Sequence, residues 1–216
     1  MKITVVGAHG QISMLMHPKL IANGHSVRGI IRKEKQAADL KELGVEPIVA
    51  DIEELDDISD AVGDADAVLF AAGAGPGSGA ERKWTVDRDG AIKLIDACKK
   101  NGIDRYVIIS AMGLDNPRGN DVFQVYQKAK AEADEALKKS GLDYTIVKPG
   151  RLTDEIGTGM ISVGKDLDRG EIPREDVASV LAEIFDKSET IGMEFDLLSG
   201  DQTIANALAE WTQNTG

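Results

Sequence analysis

The chain has 216 residues, 42% of them hydrophobic and 29% charged, with a formal net charge of −12 at pH 7. This length suits one α/β domain, no apolar run approaches a membrane span, and a single cysteine excludes an internal disulfide. The acidic excess opposes nonspecific binding to nucleic acid or an anionic membrane, so neither is expected as a partner.

Residues 1–13, MKITVVGAHGQIS, carry the strongest signal. Ile3, Val5 and Val6 form the short apolar run that a strand buried on both faces requires. Gly7-Ala8-His9-Gly10 then turns the chain into an apolar-periodic segment, expected to be helical over residues 11–23. Gly7 permits the tight turn, and Gly10 lets the backbone approach a pyrophosphate. The first helical N–H groups, at Gln11 and Ile12, point at that anion. His9 lies in the turn, either against the cofactor or in solvent. Ser13 takes the place of a third glycine, which predicts a slightly wider separation of helix and strand. Pro18 removes one N–H and crowds the carbonyl of Met14, which predicts a kink or a shortened helix. A strand that starts at residue 2 leaves no room for a signal peptide, so the cytoplasm is the expected location.

Residues 26–31 (SVRGII) read as the second strand, ended by Arg32-Lys33. In a dinucleotide fold an acid at this point accepts from the ribose 2′-hydroxyl of NAD, whereas an arginine pairs with the 2′-phosphate of NADP. Arg32 therefore points to NADP (NADPH) as the cofactor. Residues 35–43 predict a short helix stopped by Gly44, and residues 45–50 a third strand. Asp51-Ile52 follow it and either flank an adenine ring or cap the next segment. The acidic run Asp51, Glu53, Glu54, Asp56 and Asp57 reads as a solvated face. Residues 58–62 predict a short helix and residues 66–72 a fourth strand. The small residues Ala71, Ala72 and Gly73 at its end leave space beside a ribose and pyrophosphate. The glycine-rich stretch 73–80 is expected to be a mobile flap or substrate entrance.

Residues 84–101 predict a helix whose apolar stripe, Ala91, Leu94, Ile95 and Cys98, puts the cysteine in the core. A fifth strand over residues 105–110 ends at Ser110. A polar loop over 114–121 and a helix over 126–140 follow. Residues 142–148 predict the sixth strand, closed by Pro149-Gly150. Residues 152–171 predict at most a short hairpin. Pro173 opens a helix lined by Val177, Val180, Leu181, Ile184 and Phe185, residues 193–198 read as a seventh strand, and Ile204, Leu208 and Trp211 line a last helix. The alternation predicts one Rossmann-type α/β domain over 1–216, a doubly wound parallel sheet of about seven strands, with 151–172 as a small substrate-side region. His9, His17 and His25 are not spaced as ligands and no Cys/His cluster exists, so no metal is expected.

Tyr126 and Lys130 lie four residues apart on the helix that follows the fifth strand. That spacing puts phenol and ammonium on one face, beside the crevice at the strand C-termini. A nearby cation lowers a phenol's pKa and improves it as a proton donor and acceptor at neutral pH.

With these pieces in place, the chain resembles the short-chain dehydrogenase/reductase superfamily. Within it, the resemblance is to the atypical single-domain NAD(P)H-binding branch of sugar-epimerase-like and NmrA-like oxidoreductases. It rests on the turn Gly7–Gly10, Arg32, Asp51-Ile52, the segment 86–90, Ser110, Tyr126-x-x-x-Lys130, the segment 145–150 and the helix start 174–178. The resemblance implies that Tyr126 is the general acid/base, that Lys130 lowers its pKa and holds the ribose, and that Ser110 steadies the substrate oxygen. Ser110, Lys130, Pro149, Gly150 and Leu152 then also border the cofactor. The asparagine of the family's proton relay falls on position 87, where this chain has Asp87, and Lys148 stands where arginine is usual. The implied activity is hydride transfer between NADPH and a small-molecule carbonyl or alcohol. A non-catalytic NADPH-sensing protein and a nucleotide-sugar epimerase are the alternatives. The substrate is not named by any residue pattern, and both a homo-oligomer and a regulatory protein partner stay open.

Overall fold

Short apolar runs buried on both faces build the centre of the sheet. The computed structural model describes residues 1–75 and 77–215. In chain order the strands are β1 (Lys2–Val6), β2 (Ser26–Ile31), β3 (Glu46–Val49), β4 (Ala67–Phe70), β5 (Arg105–Ile109), β6 (Asp143–Pro149), β7 (Arg151–Thr153), β8 (Met160–Gly164), β9 (Glu171–Pro173), β10 (Met193–Ser199) and β11 (Gln202–Thr203). The main sheet has nine strands in the order β11-β8-β10-β6-β5-β4-β1-β2-β3. Its seven strands from β10 to β3 are parallel, as the alternating pattern predicts.

Two strands extend it beyond that expectation. β8 pairs antiparallel with β10, and β11 pairs antiparallel with β8. Residues 152–171 therefore form no hairpin of their own. One part joins the main sheet, while β7 and β9 make a separate two-stranded parallel sheet. The reason is a free edge: β10 would otherwise expose a row of backbone donors and acceptors.

The helices are α1 (Gln11–Ala22), α2 (Ala37–Glu42), α3 (Ser59–Val62), α4 (Ala80–Arg82), α5 (Ala91–Asn101), α6 (Asp121–Lys138), α7 (Arg174–Ile184) and α8 (Ile204–Thr215). Between α4 and α5 the chain is π-helical over Lys83–Gly90. Successive strand residues feed opposite layers. Ile3, Val5, Leu69 and Val107 pack with Met16, Leu20, Leu40, Val177, Leu181 and Leu208, from α1, α2, α7 and α8. Val6, Phe70, Ile108 and Ile146 pack with Val62, Leu94, Cys98 and Leu137, from α3, α5 and α6. Cys98 is fully buried there, and burial pushes its thiol up to about 12, so it is inert core as expected.

Three local expectations change. α1 runs through Pro18 to Ala22 and is not shortened. α6 begins at Asp121, five residues earlier than the apolar pattern suggests, because the Asn120 side chain accepts from the Phe123 N–H at 2.9 Å and caps the helix. The helix expected from residue 84 begins at Ala80 instead. The stretch 73–79 before it carries neither helix nor strand among its described residues, and Pro76 of the expected flap lies outside them. Among the described residues no helix is long and apolar enough to cross a membrane.

Candidate cofactor and catalytic site

The strand order reverses between β1 and β4, and in such sheets a crevice opens beyond the strand C-termini at that switch point. A cavity of about 320 Å³ lies there. Its walls come from the ends of β1, β2, β3 and β4: Gly7, His9, Gly10, Arg32, Asp51, Ile52, Ala71, Ala72 and Gly73, every one of them singled out from the sequence. Val6, Ile30, Ile31, Gln36, Ala50, Glu53, Ala74, Arg82 and Val86 complete it.

The turn at its base requires glycine. Gly7 has φ +83, and a Cβ there would lie 2.6 Å from the Ala72 backbone nitrogen. Gly10 donates its N–H to the Gly7 carbonyl at 2.9 Å and then caps α1. The wider separation expected from Ser13 does not describe its role. Ser13 is buried and its hydroxyl donates to the Gly7 carbonyl at 3.0 Å, tying the helix to the turn. His17 adds a second tie, with Nε2 donating to the Ala8 carbonyl at 2.8 Å. Burial lowers the pKa of His17, so the ring is neutral near pH 7. His9 lies at the cavity wall with Nε2 2.7 Å from Asp39 Oδ2.

The cavity has the features a dinucleotide needs. Its glycine turn leads into a helix N-terminus with no side-chain cap, its apolar floor of Ala50, Ile52 and Val86 suits a planar base, and guanidinium groups stand at the rim. Gln11 and Ile12 open α1, with Gln11 exposed and Ile12 packed on the core, outside the cavity walls.

The residues expected to carry chemistry lie on the other side of β4. Lys130 is buried, donating Nζ to the Ile109 carbonyl at 2.9 Å and lying 3.7 Å from Asp87 Oδ1. Asp87 Oδ2 accepts from the Ala74 N–H at 3.2 Å, and Ala74 is a cavity wall. This short polar chain links Lys130 to the cofactor crevice. Asp87 reaches inward from the π-helical segment, a geometry that recurs where function displaces regular helix. Gly90 ends that segment, where a Cβ would lie 2.8 Å from Ile52 Cδ1.

Tyr126 stacks on Phe123, with ring centroids 5.7 Å apart, and Lys83 Nζ lies 5.6 Å from its ring centre. The expected lowering of its pKa is reversed. Burial drives the phenol upward, and Asp87 and Asp134 add to it. Lys130 pairs with Asp87, and Asp87 is itself one of the charges that raise the phenol. Ser110 is buried at the end of β5 and donates its hydroxyl to Asp134 Oδ2 at 2.6 Å. Pro149 is buried at the end of β6, Gly150 packs against Leu198 and Gly170, and Leu152 packs on the core beside α7. Ser110, Lys130, Pro149, Gly150 and Leu152 are not walls of the cavity.

Asp134 is the site residue that spacing alone does not find, since one aspartate on a polar helix face has no distinguishing signal. Burial pushes its carboxyl up to about 6, against hydrogen bonding from Ser110 and the charges of Lys148 and Lys130. The folded protein therefore holds a proton that the unfolded chain releases from an ordinary value of 3.8, so Asp134 costs stability as pH rises through that window. Relative to wild type, Asp134→Asn is expected to gain roughly 2–3 kcal/mol between about pH 4 and pH 7. Denaturant unfolding across pH checks this; a difference constant with pH contradicts it.

Comparison with known proteins agrees with this geometry. A family model described as NAD(P)H-binding matches residues 7–188. The chain is 41% identical over 211 residues to the uncharacterized sugar epimerase YhfK of Bacillus subtilis, covering 96% of this chain and 99% of that one. A solved structure from Bacillus halodurans, named as a candidate NAD-dependent epimerase/dehydratase, superposes with TM-score 0.92 at 40% identity, covering 97% of this chain and 99% of that one. The oxidoreductase ylbE from Lactococcus lactis superposes with TM-score 0.88 at 27% identity, covering 99% and 97%. The chain belongs to the NAD(P)H-binding family, and its fold is of the Rossmann type.

Proposed function

We propose that this protein is an NADPH-dependent oxidoreductase that acts on a carbonyl or alcohol of a small molecule. The observation that carries the reading is the polar chain from Lys130 on α6, through Asp87, to the Ala74 N–H at the cavity wall, with Tyr126 one turn before Lys130 on the same helix. It sets a proton-carrying helix against the crevice where the family binds its cofactor.

The bound dinucleotide supplies or accepts the hydride. The Gly7 turn and the α1 N-terminus bind the pyrophosphate, Ile52 and Val86 bracket the base, and Arg32 takes the 2′-phosphate. Lys130 holds a ribose hydroxyl while Asp87 holds Lys130 in place. Tyr126 carries the proton of the substrate oxygen. With its pKa raised, Tyr126 is protonated at neutral pH and serves as donor in the direction of carbonyl reduction.

One observation favours a non-catalytic NADPH sensor instead: the Ser110 hydroxyl is directed at Asp134, leaving the substrate-orienting role to a group other than Ser110. The two readings part under one assay. Purified protein is incubated with NADPH and a panel of small aldehydes, ketones and quinones, and NADPH oxidation is followed. Turnover of any member well above the rate without protein supports the enzyme. Tight NADPH binding with no turnover across the panel favours the sensor.

A further inference from the structure

Three charged side chains from separate elements converge at the rim of the cofactor cavity. Arg32 follows β2, Glu53 follows β3, and Arg82 ends α4; all three are cavity walls. Arg82 grips Glu53 with its fork, Nη2 at 2.5 Å from Oε2 and Nε at 3.2 and 3.3 Å from the two oxygens. Thr85 donates its hydroxyl to Oε1 at 2.7 Å, and Arg32 Nη1 stands 3.6 Å from Oε2. These donors, Arg82 first, hold the Glu53 carboxyl below its usual value.

Two guanidinium groups and a hydroxyl aimed at one anion make the donor set of a phosphate monoester. Here the anion is a side chain. A carboxylate offers one charge and two oxygens, whereas a phosphate monoester offers nearly two charges and three oxygens, so the phosphate is the better partner for the same donors. A carboxylate beside the adenosine ribose has a second capacity: it accepts from a 2′-hydroxyl. We propose that Glu53 sets the discrimination between NADPH and NADH, and that Arg82 is a second phosphate-binding arginine beside Arg32. The 2′-phosphate displaces Glu53 from both arginines, whereas a 2′-hydroxyl leaves the Glu53–Arg82 pair intact.

The inference rests on the adenosine half of the proposed site and needs no turnover. It is tested by calorimetric titration of the full chain and its variants with adenosine 2′,5′-bisphosphate and 5′-AMP, which differ only in the 2′-phosphate, and with NADPH and NADH. Glu53→Gln is expected to tighten the bisphosphate and NADPH by about tenfold and to leave 5′-AMP within about twofold. Arg82→Ala is expected to weaken the bisphosphate and NADPH by about tenfold with little change for 5′-AMP and NADH, and Arg82→Lys to recover part of the loss. The proposal is overturned if Glu53→Gln leaves the bisphosphate unchanged or weakens it. It is also overturned if Arg82→Ala weakens 5′-AMP as much as the bisphosphate, which would mean that Arg82 only anchors the chain after residue 79. If the wild type prefers NADH while these variant effects hold, the NADPH reading fails and the inference stands. If the wild type prefers NADPH while the effects are absent, the inference fails alone.

Discussion

Tyr126→Phe lowers carbonyl reduction by ~10²–10⁴-fold, the range for loss of a general acid, and leaves NADPH affinity within about twofold. The phenol's hydroxyl is the only group removed. Ring packing against Phe123 and beneath Lys83 survives in phenylalanine, so the fold and the cofactor cavity are untouched. A split of this kind, kcat lost with binding kept, marks an interaction made in the transition state. The raised pKa adds a pH signature. Reduction needs the protonated phenol and stays flat through neutral pH on account of Tyr126. Oxidation of the alcohol needs the phenolate, so its rate keeps rising with pH and reaches no plateau below about pH 10, the ordinary tyrosine value. An oxidation profile that levels off near pH 7 would place the titrating group elsewhere, and full activity in Tyr126→Phe would remove tyrosine from the chemistry.

Gly7→Val abolishes NADPH binding and destabilises the protein by ~3 kcal/mol or more, since it combines a β-branched residue at positive φ with a backbone clash. The clash is with atoms that cannot swing aside: the Ala72 nitrogen at 2.6 Å, its Cα at 2.7 Å and the Ala71 carbonyl carbon at 2.9 Å. Relief requires β1 and β4 to part exactly where the cavity forms, which joins the stability loss to the binding loss. Gly10→Ala separates the two effects. Its backbone is at φ −70, and its new Cβ would crowd the Gly7 carbonyl oxygen at 3.1 Å, with Ser13 Oγ at 3.8 Å in ordinary contact. It should fold nearly as wild type and bind the pyrophosphate less well. Denaturant unfolding and nucleotide titration of both variants check this pair. Normal NADPH binding by Gly7→Val would mean that the turn is not the phosphate cradle.

Legibility followed the range of the interactions involved. The half of the cavity built by strand ends could be read because each piece is local: a glycine turn after an apolar run, Arg32 after the next run, Ala71–Gly73 after another. Parallel strands then bring those ends together without further instruction. Glu53 sits in an acidic run that reads as solvated, and its meaning comes from Arg82, 29 residues away and brought near by the fold. The π-helical segment was invisible because a 3.6-residue period is the template a sequence is read against, and the Asp87 orientation depends on breaking it. The strand β8 is short and half-buried, with a register supplied by the edge of β10 rather than by its own residues. The direction of the Tyr126 pKa shift is not legible in the sequence for a related reason. Helical spacing puts Lys130 on the phenol's face of the helix, but burial by the surrounding elements and the charge of Asp87, from a different element, decide the direction of the shift.

The most direct test of the account is a pair of calorimetric titrations of the wild-type protein with NADPH and with NADH. The account predicts clear NADPH binding, tighter than NADH, that weakens sharply in Arg32→Ala while NADH binding changes little. Equal or tighter binding of NADH would contradict the role given to Arg32, and no binding of either nucleotide would contradict the cavity's assignment as the cofactor site.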